Sequence, residues 1–200
     1  LFSNRRRAMK YLACILMGVP IWYSVGLLIT LTPELAQEHG ISGIKLSTCF
    51  ILFQVGIAAG DLSSGILSQW LRTRKRVLLG YMGFGVLATV LHYLRIYQSA
   101  GIETTSFLMG LGCGYLSVFV TTTSEQFGTN LRVTVTATVT NFMRGAVTLL
   151  IPLHQSLERG FGLSLTEGLI LTGLIVWALA LASAVWLPET YGRSLEFEEQ

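Results

Sequence analysis

The stretch GDLSSGILSQWLRTRKR, residues 60–76, joins an apolar, glycine-spaced segment to a dense group of cations. Its single acid, Asp61, lies inside the apolar part, where a charged side chain is costly and usually functional. Four of its last five residues are cations, namely Arg72, Arg74, Lys75 and Arg76. Cations at the end of an apolar segment mark the cytoplasmic side of a membrane. The stretch therefore predicts a membrane helix that ends at the cytoplasmic surface.

The composition of the whole chain is that of a membrane protein. Of its 200 residues, 52% are hydrophobic and 12% are charged, whereas soluble domains carry about 25% charged residues. The mean hydropathy is +0.59. The net charge of +3 does not indicate binding to nucleic acid, because the cations lie beside apolar segments. The three cysteines have no metal-binding spacing, so neither a metal site nor a cofactor is predicted.

Six segments are long and apolar enough to cross a hydrocarbon core, which takes about 20 residues. They lie at about residues 11–33, 46–71, 77–97, 104–124, 133–157 and 165–188, followed by a cytoplasmic tail at 189–200. Helices are predicted throughout, because backbone groups in a bilayer must be satisfied within the segment. Residues 132–141, RVTVTATVTN, alternate as a strand would. A helix is still predicted there, since Thr hydroxyls can bond the preceding helical turn.

Lysine and arginine are distributed unequally between the two sides of the predicted bundle. Ten lie on one side, whereas Lys45 and Arg159 lie on the other. By the positive-inside rule, both termini are predicted to be cytoplasmic, in a multi-pass protein of the plasma (bacterial inner) membrane. The outer connections are short, so no extramembrane domain large enough for an enzyme is predicted. Because residue 1 is Leu, the chain is expected to be a fragment or a processed part of something longer.

Three segments at predicted cytoplasmic helix ends combine glycine, acids and cations in ordered patterns. Residues 65–76 run from Gly65 into the basic group, residues 125–132 have an acid and an arginine at their ends, and residues 187–196 read LPETYGRSLE. In this order they resemble the loop motifs of the major facilitator superfamily. Gln69 stands where that family has an acid, and Gly128 where it has a proline.

The resemblance is closest to the metabolite–proton symporters and to the sugar and organic-ion branches of that superfamily. It implies an all-α membrane fold in which residues 1–200 are the C-terminal six-helix half of a twelve-helix transporter. The partners that it implies are an N-terminal six-helix half absent from this chain, a small solute and protons, within membrane lipid.

The resemblance also implies that the three segments meet as a gate on the cytoplasmic face. The predicted gate residues are Gly65, Arg72, Arg74, Lys75, Arg76, Glu125, Arg132, Glu189 and Arg193. The cations are expected to pair with the acids when the gate is closed, and bridges that break and re-form make a bistable element. The alternative is a set of solvated charges that only fixes the topology, since exposed ion pairs contribute little.

Two opposite charges are predicted at one depth in the membrane. Asp61 precedes Arg72 by eleven residues, and Arg144 follows Arg132 by twelve. At about 1.5 Å per residue, both lie roughly 16–18 Å from the cytoplasmic side of a core about 30 Å thick. Transporters hold substrate and coupling ions near this depth. Asp61 is therefore predicted to load and release a proton and Arg144 to attract an anionic group; the alternative is a static ion pair.

Polar and aromatic side chains complete the predicted substrate and proton site. Gln54 and Asn141 lie on the polar faces of the two helices that carry the charges. Trp22, Tyr23 and Tyr115 are expected to wall the cavity, or alternatively to serve as packing residues and interface anchors.

The sequence thus predicts secondary active transport of a small organic solute by alternating access, coupled to protons. A transport-incompetent accessory half is one alternative, and an intramembrane enzyme or a channel are others. The enzyme is disfavoured because the sequence has no nucleophile elbow and no H-E-x-x-H motif. The channel is disfavoured because no selectivity filter or charge ring is visible in the sequence.

Overall fold

The computed structural model describes residues 4–98 and 101–192, and this part of the chain is all-helical. Its elements are α1 (Arg5–Tyr23), a π-helical segment (Ser24–Ile29), α2 (Thr32–Glu38), α3 (Leu46–Trp70), α4 (Lys75–Tyr97), α5 (Ile102–Cys113), α6 (Leu116–Glu125), α7 (Thr129–Gly145), α8 (Val147–Phe161) and α9 (Leu165–Trp186). Helix α1 packs against α7 and α9, while α5 lies between α3 and α4.

Five described helical segments are long and apolar enough to cross a membrane. They are Arg5–Ile29, Leu46–Trp70, Lys75–Ile96, Ile102–Glu125 and Leu165–Trp186. The chain is therefore a multi-pass helical membrane protein, as its composition predicted. The predicted tail at 189–200 is described only as far as Gly192.

The remaining predicted span, 133–157, is divided between α7, of 17 residues, and α8, of 15 residues. The two helices meet at Ala146, which keeps helical angles (φ −57°, ψ −28°). Pro152 has no N–H for the carbonyl of Thr148, and its ring crowds that carbonyl. This loss falls inside α8, beyond the junction at Ala146. Neither helix alone has the length of a span, so a sixth crossing made by both remains a proposal.

The threonine-rich segment is helical, as predicted. The Thr136 hydroxyl donates to the carbonyl of Arg132 at 2.8 Å, and the Thr138 hydroxyl donates to that of Thr134 at 2.7 Å. Each hydroxyl is thus satisfied within its own helix, so β-branched residues do not need a sheet here.

Glycines let the backbone of α5 touch those of both its neighbours. A Cβ atom at Gly112 would lie 2.5 Å from the Cα of Gly85 in α4, and one at Gly114 would lie 2.5 Å from the Cα of Gly60 in α3. Small residues permit such close approach in a bilayer, where packing replaces the hydrophobic drive between helices. These glycines thus allow backbone contact between α5 and both of its neighbours.

The fourth predicted span is interrupted between α5 and α6. Gly114 (φ −78°, ψ 57°) and Tyr115 (φ −120°, ψ 18°) leave the helical region. The interruption creates a helix N-terminus within the span, and its N–H groups need partners there. One of those partners is the acid that the sequence singled out.

Candidate functional site

Asp61 on α3 binds the N-terminus of α6. Its Oδ1 accepts a hydrogen bond from the backbone N–H of Ser117 at 2.6 Å. The Ser117 hydroxyl in turn donates to the main-chain carbonyl of Asp61 at 3.1 Å. A carboxylate is favoured at a helix N-terminus because the helix dipole is positive there. The intramembrane acid is thus held by the interruption between α5 and α6.

An open groove of about 650 Å³ runs along α3 beside Asp61. Gln54 and Gly65 line the same groove, together with Ser117 of α6. Gln54 is exposed, and Asp61 is half-buried. The structure therefore brings three of the predicted site and gate residues, Gln54, Asp61 and Gly65, onto one surface.

Arg144 lies exposed on α7, with its guanidinium carbon 5.2 Å from the centre of the Trp22 ring. This geometry is a cation–π contact. Within the described residues the guanidinium makes no ion pair or hydrogen bond, and the buried indole N–H of Trp22 has no hydrogen-bond partner. Asn141, one turn earlier, is also exposed, and its amide donates to the carbonyl of Ala137 at 3.0 Å. A cation and an amide are thus presented together on one face of α7.

The alternative to those roles, a static ion pair between Asp61 and Arg144, is absent from the part of the chain that the structure describes. The Asp61 carboxylate is held at the start of α6, whereas the Arg144 side chain lies over Trp22. Helix α6 packs against both α3 and α7. The static pair is therefore wrong for this conformation, because each charge has a different neighbour.

Tyr23 and Tyr115 lie inside the bundle instead of facing a cavity. Both side chains are fully buried. The Tyr23 hydroxyl donates to the carbonyl of Leu169 at 2.8 Å and shares a 2.9 Å hydrogen bond with the Tyr93 hydroxyl. The Tyr115 hydroxyl donates to the carbonyl of Met17 at 3.1 Å. Both hydroxyls connect helices of this chain, so the two tyrosines serve as packing residues and do not wall a cavity.

Two acids and one arginine of the predicted gate meet at one end of the bundle. The Arg74 guanidinium is 3.3 Å from Glu125 Oε1, and both side chains are mostly buried. The Thr190 hydroxyl donates to the other oxygen of Glu125 at 2.7 Å. Arg74 also lies 5.1 Å from the centre of the Tyr191 ring. These contacts join the start of α4, the end of α6 and the segment after α9.

Glu189 caps the N-terminus of α4 from the far end of the chain. Its carboxylate accepts from the backbone N–H groups of Arg74 at 3.0 Å and Lys75 at 3.2 Å, and from the Thr73 hydroxyl. Burial alone raises the pKa of Glu189. The hydrogen bonds from Thr73 and from the backbone N–H groups of Tyr191, Arg74 and Thr190 outweigh burial and lower the pKa to about 2. The carboxylate is therefore ionised at neutral pH.

The other predicted gate cations have different surroundings. Lys75 donates to the carbonyl of Leu187 at 2.8 Å and to that of Val185, and so caps the end of α9. Arg132 on α7 donates to the carbonyl of Ser124 on α6 at 3.1 Å, across the loop that joins the two helices. The guanidinium groups of Arg72 and Arg76 are exposed and make no hydrogen bond or ion pair within the described ranges. Arg193 lies outside the described residues.

Sequence reasoning missed the hydroxyl and amide groups that complete this cluster. Thr73 and Thr190 bind the two acids, and Ser68 accepts from Arg74 at 3.0 Å. Gln126 donates to the carbonyl of Pro188 at 2.8 Å. The signal available for Thr73 was its position just before a helix, where hydroxyl residues commonly satisfy free N–H groups.

No protein-family model matches the chain, and no curated protein matches it.

Proposed function

We propose that the chain is one half of a secondary transporter that moves a small organic solute, a metabolite or an organic ion, by alternating access coupled to protons. The observation that carries the proposal is a contrast between two exposed helix faces. Between residues 168 and 186, the exposed side chains of α9 are all apolar, namely Leu174, Ala178, Leu179, Ala182, Val185 and Trp186. The exposed side chains of α7 instead include a polar pair, Asn141 and Arg144, beside the apolar Val133 and Phe142.

A polar face at membrane depth requires water or protein beside it. Charged side chains in spans face a bundle interior or an aqueous cavity and rarely lipid. Arg144 has no counter-ion within the described chain, so an anionic solute bound in a cavity would supply one. We assign the other wall of this cavity to an N-terminal six-helix half, as the resemblance to the major facilitator superfamily implies.

Asp61 is the proposed proton carrier. Its carboxylate is half-buried in an open groove and is bonded to the first turn of α6. Protonation would remove the negative charge that favours this contact with the helix dipole. The proton state of Asp61 is thereby coupled to the position of α6, which contacts α7 on its other side.

The cluster of Arg74, Glu125 and Glu189 is the proposed cytoplasmic gate in its closed state. It joins three segments that are distant in sequence through one ion pair and several hydrogen bonds. The excess of cations at this end supports a cytoplasmic location. Opening would separate these partners and expose the cavity to the cytoplasm.

The test is transport by the full-length protein in proteoliposomes with an imposed pH gradient. Pools of small carboxylic acids serve as probes, since Arg144 favours anions, and an internal pH dye reports proton entry. At least one pool is expected to drive saturable proton uptake. Asp61→Asn should abolish proton-driven uptake while leaving solute counterflow, and Arg144→Gln should raise the half-saturating concentration.

Matched controls come from exposed charges outside the proposed cavity. Glu103→Gln and Arg95→Gln remove an acid and a cation near the ends of α5 and α4, and both should leave transport unchanged. The proposal is overturned if no pool gives saturable uptake, or if Asp61→Asn and Arg144→Gln behave like these controls. A flux that rises linearly with solute concentration would indicate a channel instead.

A further inference from the structure

A second groove, of about 360 Å³, lies between the end of α3 and the start of α4. Its walls include Leu67, Leu71, Val77, Gly80, Phe84 and Leu111. The Ser63 hydroxyl, which also lines it, is hydrogen-bonded to the Tyr81 hydroxyl at 2.7 Å. Those two polar groups satisfy each other, so the groove is suited to hydrocarbon and not to a polar solute.

Gly80 keeps the wall of this groove open. A Cβ atom placed there would have no other atom within 4 Å. The open space differs from the contacts of the α5 glycines, where backbones touch. A wall that is apolar, concave and located on a membrane helix fits a flexible acyl chain.

One cation, Arg76, also lines this groove. Four cations, which we call the loop cations, lie in the loop between α3 and α4 or at the very start of α4. Of these, Arg74 is bound to Glu125, and Lys75 to the end of α9. Arg72 and Arg76 are exposed, and their guanidinium groups have no partner in the described part of the chain. Two of the four loop cations are therefore available to an anion.

We propose that this groove binds an anionic phospholipid of the inner leaflet, with its phosphate on Arg76 and one acyl chain along α4 towards Phe84. Basic sites between helices on the cytoplasmic side attract anionic headgroups. From Arg76 to Phe84 the helix rises about 12 Å, close to the roughly 15 Å of one leaflet's hydrocarbon. The site rests on the proposed orientation, in which this end of the bundle is cytoplasmic.

The test is native mass spectrometry of the full-length protein with added phosphatidylglycerol or phosphatidylcholine that have the same acyl chains. The wild type is expected to retain one phosphatidylglycerol more tightly than phosphatidylcholine. Arg76→Gln should weaken retention of phosphatidylglycerol about fivefold, since one basic residue near an anionic headgroup contributes about that factor. Arg95→Gln removes a cation from the opposite end of the same helix and should have no effect.

Two glycines of α4 provide a matched test of the acyl groove. Gly80 and Gly83 both have open space around their Cβ positions, and Gly80 lines the groove whereas Gly83 does not. Gly80→Leu should fill the groove and weaken retention of both lipids, while Gly83→Leu should leave retention unchanged. Both substitutions place the same side chain on an exposed part of one helix.

Three outcomes would overturn the lipid site. The first is equal retention of the two lipids by the wild type. The second is retention of phosphatidylglycerol by Arg76→Gln that equals its retention by Arg95→Gln. The third is dissociation of a dimer by Gly80→Leu, which would show that a second copy occupies the groove. None of these readouts uses transport, so their failure is separate from failure of the proposed function.

Discussion

At the scale of single residues, the two decisive acids both act on helix N-termini. Asp61 accepts from the first turn of α6, and Glu189 accepts from the first turn of α4. Helix N-termini combine free N–H groups with the positive end of the dipole, so a carboxylate satisfies both. The sequence pointed to Asp61 because a charge inside an apolar segment is costly, and to Glu189 because it lies in a motif. The groups that the two acids bind depend on where helices begin.

The lowered pKa of Glu189 makes a pH-dependent contribution to stability. The pKa falls from 4.5 to about 2 in the folded protein, so the folded state favours the ionised form. This contribution is fully present above pH 4.5 and is lost as the pH falls towards 2. The melting-temperature difference between wild type and Glu189→Gln, measured in detergent, should be constant from pH 7 to pH 5 and shrink below 4.5.

The control for this titration is Glu103→Gln, which removes an exposed acid. The difference in melting temperature between Glu103→Gln and the wild type should be small across the same pH range. A Glu189→Gln difference that is equally small at pH 7, or that does not shrink in acid, would contradict the capping role.

At the scale of helices, the glycine contacts of α5 predict a sharp difference between two alanine variants. A Cβ at Gly110 would collide with the main-chain carbonyl of Phe53, which cannot move aside as a side chain can. Gly110→Ala should therefore destabilise the protein by about 1–3 kcal/mol, the usual cost of overpacking. Gly80→Ala meets open space and should be neutral or slightly stabilising. Thermal unfolding in detergent measures both, and equal melting temperatures would contradict the packing described.

Helix positions were predictable because hydropathy and length nearly determine a membrane span. The span predicted at 46–71 is α3, Leu46–Trp70, and the segment 132–141 is helical. The interruption between α5 and α6 was not predictable from hydropathy, because Gly114 and Tyr115 are as compatible with a continuous apolar helix as their neighbours. The division between α7 and α8 was not predictable in this way either, since Ala146 keeps helical angles and Pro152 lies inside α8.

At the scale of the whole molecule, contacts between distant segments explain what the sequence pattern left unsettled. Glu189 binds residues more than a hundred positions away, and periodicity along one helix carries no information about such pairs. Tyr23 and Tyr115 were plausible cavity residues by composition, yet tertiary packing buries both. Arg144 and Asn141 are both exposed on α7.

The exposed faces of α9 and α7 differ in polarity, and this asymmetry underlies the proposed function. The face of α9 is apolar and suits lipid, whereas that of α7 carries a cation and an amide. We therefore expect water to reach Asn141 but not Leu174. Asn141 lies twelve residues from the start of α7, and Leu174 lies twelve residues from the end of α9. Both of these helix ends are proposed to be cytoplasmic, and twelve residues of helix rise about 18 Å. The two positions are therefore matched in depth.

Labelling of single cysteines in the native membrane by a membrane-impermeant thiol reagent tests this claim most directly. The three native cysteines, Cys14, Cys49 and Cys113, are buried and should contribute little background. Asn141→Cys should react, and its labelling should be slowed by a transported carboxylic acid, whereas Leu174→Cys should not react. If both positions are inert, or both react alike, the polar face of α7 does not line a water-filled cavity and the account is contradicted.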